Sequence, residues 1–148
     1  MKFFNFVFAF VIAFGIWSCG QKSNSVVGGE APDSAELIKT VYGNFVFAID
    51  ANPDVYDHPD RYFSATALNK LASAYEFDCD DNNCYAYYEL RTQEQDSKPG
   101  TDGESAIISI EKVGEGWFVV KYSDMGWTGM TLLRIVDGKI DDFARVDD

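Results

Sequence analysis

The chain has 148 residues, with 24 Asp and Glu against 12 Lys and Arg, a formal net charge of −12 at pH 7. A field of that sign repels nucleic acid and anionic lipid head groups, which excludes nucleic-acid binding and any polybasic contact with a membrane. The length suits one domain with its own hydrophobic core and is short for two.

The first eighteen residues read as a targeting segment. Lys2 supplies a positive start, and Phe3 to Trp17 is apolar apart from Asn5 and Gly15, too short for a membrane span and placed where a secretory signal belongs. Ile16-Trp17-Ser18-Cys19-Gly20 follows. This run resembles the lipobox of bacterial lipoproteins, with an aliphatic residue three before the cysteine and a small residue just before it. The resemblance implies a diacylglycerol on Cys19, cleavage before it and a further acyl chain on the new amino group, since stable anchoring takes more than one chain. Residues 1–18 are then a signal peptide, and residues 19–32, rich in Ser, Asn and Gly, are the lipidated cysteine and a flexible tether. Gly20 stands where an aspartate would retain a lipoprotein at the inner membrane, so the expected location is the cell envelope, at the outer membrane. Removing 18 of 148 residues leaves 130 and takes away Lys2, giving 24 acidic against 11 basic residues and a formal charge of −13.

The domain, residues 33–148, opens on a helix. Asp33 and Glu36 have the capping-box offset, and Leu37, Ile38, Val41, Tyr42, Phe45 and Ile49 recur at helical spacing up to about Ala51, where Asn52-Pro53 stops the run. Gly43 inside it costs up to about 1 kcal/mol relative to alanine and marks close packing. A polar loop carries the single histidine in His58-Pro59-Asp60. These three residues match the tripeptide of the chaperone J-domain, but the basic helix that should precede it is absent, and the segment reads as a turn. His58 has no second histidine to share a zinc ion. Another helix is expected from Ser64, as N-cap, to Tyr75, with Phe63 and Leu68 spaced as a hydrophobic staple.

Cys79 and Cys84 are separated by four residues, and with Cys19 taken by lipid they are expected to form a disulfide. A competing reading of the same stretch is a calcium loop. Asp78, Asp80 and Asn82 fall at its first, third and fifth places and Glu89 at the twelfth. Asn83 stands where that loop normally has glycine, and Tyr85 to Arg91 alternates like a strand rather than opening a helix, so no metal is the preferred reading. Gln93 to Glu104 is a long polar loop, either mobile or functional.

From Ser105 to Val146 the chain reads as consecutive antiparallel strands. Ile108 and Ile110 are expected on one face of the first, and Phe118, Val120 and Tyr122 on one face of a central second strand. Gly126 and Gly129 bracket Trp127-Thr128 as a loop, Met130 to Val136 resumes the strand pattern, and Asp137-Gly138 is a hairpin turn into Ile140 to Val146.

The order gives an α+β domain, two helices packed on a curved antiparallel sheet. The helix pair, the Cys79–Cys84 turn, the Tyr85 to Arg91 segment and the turn Tyr122-Ser123-Asp124-Met125-Gly126-Trp127 resemble an uncharacterised family of small exported bacterial proteins of nuclear-transport-factor-two-like fold. The resemblance implies a pocket between helices and sheet, and it implies no particular activity. Proteins of that fold often pair through the open sheet face, so a homodimer is one expected state. The pocket candidates are Tyr42, Tyr62, Tyr87, Tyr122, Asp124 and Trp127, with Phe45 and Phe118 as core. Asp124 would act as a general base if desolvated beside aromatics, and as a turn acceptor otherwise.

Three function classes follow. The preferred one is a lipid-anchored, non-catalytic binding or accessory module for a small molecule, glycan or partner protein, without a cofactor. The second is a small hydrolase or isomerase built on a pocket carboxylate, for which no nucleophile motif, phosphate loop or strand histidine is present. The third is an acidic interaction or inhibitor protein with a basic partner, marked by an acidic surface and no internal cavity.

Overall fold

The computed structural model describes residues 33–80 and 83–146. The expected signal peptide and tether, with Cys19 between them, and Asn82 lie outside the described residues. No helix among the described residues is long and apolar enough to cross a membrane.

Helix α1, Ser34–Val41, starts where the capping pattern puts it. The Asp33 carboxylate accepts the Ala35 N–H at 3.2 Å, and Leu37, Ile38 and Val41 face the core. The helix does not continue to Ala51. One π-helical turn, Tyr42–Val46, follows it and closes with Phe47 N–H donating to the Tyr42 carbonyl at 2.8 Å. The wider turn brings Tyr42, Phe45 and Val46 inward together, and Ile49, expected on that face, is 64% exposed. Asn44 fixes the exit, because its amide donates to the Thr40 carbonyl and its oxygen accepts the Asn52 N–H, both at 3.0 Å. Gly43 is needed for this return. A Cβ there would lie 1.9 Å from a carboxylate oxygen of Asp50.

Asn52 then caps the short helix α2, Pro53–Tyr56, and His58-Pro59-Asp60 enters a 3-10 turn, Pro59–Arg61, with His58 exposed. Ser64 caps α3, Ala65–Ser73, through its hydroxyl on the Ala67 N–H at 3.2 Å. That helix ends short of Tyr75. Phe63 is buried and Leu68 packs against the same core.

Four strands, β1 Ala106–Gly114, β2 Trp117–Asp124, β3 Trp127–Val136 and β4 Lys139–Val146, form an antiparallel sheet in the order β1-β2-β3-β4. The segment bracketed by Gly126 and Gly129 is strand rather than loop. Met125 and Gly126 carry φ of 50° and 85°, a two-residue turn whose handedness matches the strand twist, so Trp127 already pairs with Asp124. Asp137-Gly138 repeats that turn, with φ of 50° and 73°. A bulge between Ile107 and Ser109 breaks the expected alternation in β1. Ile107 and Ile110 pack on the core, and Ile108 is 56% exposed.

Tyr85 to Arg91 is not a strand. Its donors close locally, Glu89 N–H on the Ala86 carbonyl at 3.0 Å and Arg91 N–H on the Tyr88 carbonyl at 3.3 Å, forming a 3-10 turn, Tyr87–Leu90. The alternating aromatics meet neighbours on both sides without pairing to the sheet, since Ala86 N–H donates to the Leu71 carbonyl of α3 at 3.0 Å. The helices lie against one face of the sheet. Ser64 N–H donates to the Ile140 carbonyl at 2.8 Å, and Lys70 donates to the Phe143 carbonyl, tying α3 and its cap to β4.

Candidate functional site

Asp124, at the end of β2, is fully buried among fixed donors. Arg91 reaches it with both edges of a fork, Nε to Oδ2 at 3.0 Å and Nη2 to Oδ1. Thr92 adds its N–H at 3.1 Å and its hydroxyl at 2.6 Å, both to Oδ2, and the Ser105 hydroxyl adds a contact to Oδ1 at 3.3 Å. Both oxygens are engaged and the charge is matched by a guanidinium. The residue considered as a general base is placed as the anchor that ties residues 91, 92 and 105 to one strand end. A base needs a lone pair facing its substrate, and these lone pairs face donors of the chain itself.

The other pocket candidates separate into three places. Tyr42 and Tyr122 lie in the core with ring centroids 5.5 Å apart. Tyr42 donates to the Leu90 carbonyl at 3.1 Å, Thr131 donates to the same carbonyl at 3.2 Å, and the Tyr122 and Thr131 hydroxyls meet at 3.2 Å. This closed network satisfies three buried hydroxyls. Tyr62 and Tyr87 belong to a second cluster around Phe45, at 5.7 and 5.1 Å between centroids, which also takes in Phe63 and Tyr56. Burial pushes the Tyr42, Tyr87 and Tyr122 phenols above the ordinary tyrosine value, so all three stay protonated at neutral pH. Phe118 packs against the same core.

Trp127 stands apart, beneath the Gln93 to Glu104 loop. Its indole N–H donates to the Asp96 carbonyl at 2.9 Å, and the Lys98 ammonium lies 5.2 Å from its ring centre. Lys98 N–H on the Met125 carbonyl at 2.8 Å and Gly126 N–H on the Glu104 carbonyl at 3.3 Å fasten the loop to the β2–β3 turn. Gly126 permits that approach, since a Cβ there would lie 2.1 Å from the Thr101 hydroxyl.

The space expected between helices and sheet is thus occupied by Tyr42, Tyr122, Phe45 and their neighbours, and the clefts open at the surface. A groove of about 630 Å³ runs past Tyr56, Tyr75, Tyr85 and Tyr87 with Asp57 and Asp60 in its lining. A smaller cleft of about 310 Å³ lies beside Tyr122 and Trp127 and includes Thr92, Glu94, Lys121 and Arg145. Of the six candidates, this second cleft joins Tyr122 and Trp127 only.

Cys79 and Cys84 form a disulfide with their Cα atoms 5.9 Å apart. Asp78 and Asp80 beside it are exposed, and Glu89, the twelfth-place candidate, accepts a 3.3 Å bond from Arg145. Among the described residues no group of three or more His, Cys, Asp or Glu is placed to hold a metal ion.

Sequence reasoning missed Arg91, Thr92, Lys121 and Arg145. The available signal was scarcity. In a chain with twice as many acids as bases, an arginine directly after an aromatic run, and another in the last strand, have carboxylates to answer. No protein-family model matches the chain, and no curated protein and no solved structure shows significant similarity to it.

Proposed function

We propose that the chain is a lipid-anchored protein of the bacterial cell envelope that serves as a non-catalytic binding or accessory module. The lipobox-like run ending in Cys19 supports the anchor, and Gly20 after it supports the outer membrane. The Cys79–Cys84 disulfide is compatible with export. We read the α+β domain as a filled variant of the nuclear-transport-factor-two-like cone, taking its small molecule, glycan or partner protein at surface clefts. A homodimer belongs to the same reading.

The observation that carries the non-catalytic part is the engagement of Asp124. Its carboxylate, the acid–base candidate of the hydrolase or isomerase reading, receives donors from Arg91, Thr92 and Ser105 on both oxygens. The acidic interaction protein is the second reading. The filled helix–sheet interior together with the net charge of −12 favours it.

Native mass spectrometry of the full chain, expressed through an exporting host and released in detergent, tests both. The expected species begins at Cys19 with acyl chains, has lost two hydrogens to the disulfide and carries a small molecule. A chain that keeps residues 1–18 and an unmodified Cys19 sinks the anchor. A ligand-free chain bound stoichiometrically to a basic protein replaces the binding module by the interaction protein.

A further inference from the structure

The larger groove is walled by three stretches that lie apart in the chain: residues 56–60, α3 with Tyr75 just after it, and residues 83–87. Its rings touch one another. Tyr87 lies 6.3 Å from Tyr56 and 5.8 Å from Tyr85 between ring centres, at interplanar angles of 61° and 44°. Phe45 braces two of them from the core, its buried ring 5.7 Å from Tyr56 and 5.1 Å from Tyr87. The Ala86 N–H bond to the Leu71 carbonyl at 3.0 Å fixes the 83–87 wall on α3. The aromatic surface is therefore in place before any ligand arrives, which lowers the cost of ordering it.

Rings inclined at these angles do not make the flat platform on which a sugar ring stacks. They make a concave aromatic surface, and aromatic faces attract a compact cation. Elsewhere in the domain the chain supplies such cations itself, Lys70 over Phe143, Lys98 over Trp127 and Arg134 over Trp117. Among the described residues none covers a tyrosine of the groove. The charge of the lining has one sign. Asp57 and Asp60 are its charged side chains, both exposed and neither in an ion pair among the described residues. Lys139 donates to the Asp60 main-chain carbonyl at 2.6 Å and stands outside the lining. A neutral sugar draws nothing from that sign, and an anion is repelled by it.

We propose that this groove is a binding site for a small organic ammonium ion, whose cationic head lies against the Tyr56, Tyr85 and Tyr87 rings in the field of Asp57 and Asp60. The inference rests on the binding-module reading and gives that module a site and a ligand class. A volume of about 630 Å³ holds such a head together with a compact organic body. Burial, and after it the neighbouring Tyr56 and Tyr85 phenols, push the Tyr87 phenol above its ordinary value, so that ring meets the cation uncharged at neutral pH.

NMR of the full chain in a non-ionic detergent, with isotope-labelled tyrosine rings, tests it. Choline is the probe, dimethylbutanol, in which a carbon replaces the charged nitrogen, is its neutral isostere, and glucose is the sugar control. Choline is expected to shift the Tyr56, Tyr85 and Tyr87 ring signals saturably, with the isostere at least about tenfold weaker and glucose silent. Tyr56→Leu, at a position 50% exposed, keeps apolar bulk and removes the aromatic face, and should weaken choline by about tenfold. Tyr56→Phe restores the ring without the hydroxyl and should recover most of that loss. Asp57→Asn combined with Asp60→Asn should weaken choline by about threefold while the urea midpoint stays with the parent chain. Unmoved ring signals, the isostere binding as tightly as choline, glucose shifting the rings more strongly, or Tyr56→Leu binding choline like the parent each overturn the assignment. A co-purified small molecule to which the rings stay silent, as they do to choline, removes this site and leaves the binding module standing. Silent rings in a ligand-free chain bound to a basic protein remove both.

Discussion

Two arginine–carboxylate pairs fasten the segment from Glu89 to Thr92 onto the sheet, one on β2 and one on β4. In the first, Asp124 is wholly buried and takes donors from Arg91, Thr92 and Ser105. In the second, Glu89 and Arg145 keep 33% and 21% of their side-chain surface, share one bond of 3.3 Å, and leave Arg145 Nε without an acceptor. The same chemistry is closed in one place and open in the other. A buried charge pair serves structure when every donor and acceptor is used, because any unmet group inside protein costs more than the pair itself returns. The open pair, with one donor unmet and both side chains partly solvated, returns less.

The largest effect should come from breaking the closed pair. Asp124→Ala strands the Arg91 guanidinium and the Thr92 and Ser105 hydroxyls, and should cost about 3–5 kcal/mol in urea unfolding at neutral pH. A loss below about 1 kcal/mol would make the two pairs equivalent and remove the contrast. Thr92→Val keeps the shape and deletes one donor, the 2.6 Å hydroxyl contact, so about 1.5 kcal/mol is expected.

A third pair sharpens the scale. Lys70 donates to Asp142 at 2.7 Å at the α3–β4 junction, and this bond, ahead of the Phe143 N–H, holds the Asp142 carboxyl below its ordinary value of 3.8. A carboxyl with a depressed folded pKa binds fewer protons folded than unfolded at acid pH. Its contribution is therefore complete above 3.8 and is lost as pH falls through the lower folded value. Urea midpoints followed downward from neutral pH should show Lys70→Met less acid-sensitive than the parent chain. Parallel acid limbs would show that this exposed pair contributes nothing.

The contrast between these pairs also explains what could be read ahead of the structure. Local signals were reliable. Ser64 and Asp33 cap helices, Asp137-Gly138 turns a hairpin, and Cys79 joins Cys84, because each depends on a few neighbouring residues. Where the outcome depends on distant partners, pattern misled. Tyr85 to Arg91 alternates like a strand, but the carbonyl of Leu90 is claimed by Tyr42 and Thr131, and the segment folds into a 3-10 turn. Alternation measures two-sided neighbours, and a connecting segment laid between α3, the π turn and the sheet has those too. The same cause undid the single pocket. Tyr42, Tyr87, Tyr122 and Trp127 were grouped by chemistry, whereas their rings find partners in separate clusters. Asp124 was recognisable as unusual, but its role was fixed by Arg91, 33 positions away in the chain.

Glu89→Gln is the smallest perturbation, and it probes the open pair directly. Both partners are partly solvated and joined by one long contact, so neutralising Glu89 should lower stability by less than about 1 kcal/mol. It also withdraws the only carboxylate that competes for the guanidinium within ion-pairing distance among the described residues. The urea midpoint should hardly move, in contrast to Asp124→Ala. Should Glu89→Gln instead unfold the chain as readily as Asp124→Ala, the β4 pair is a second structural clamp equal to the first.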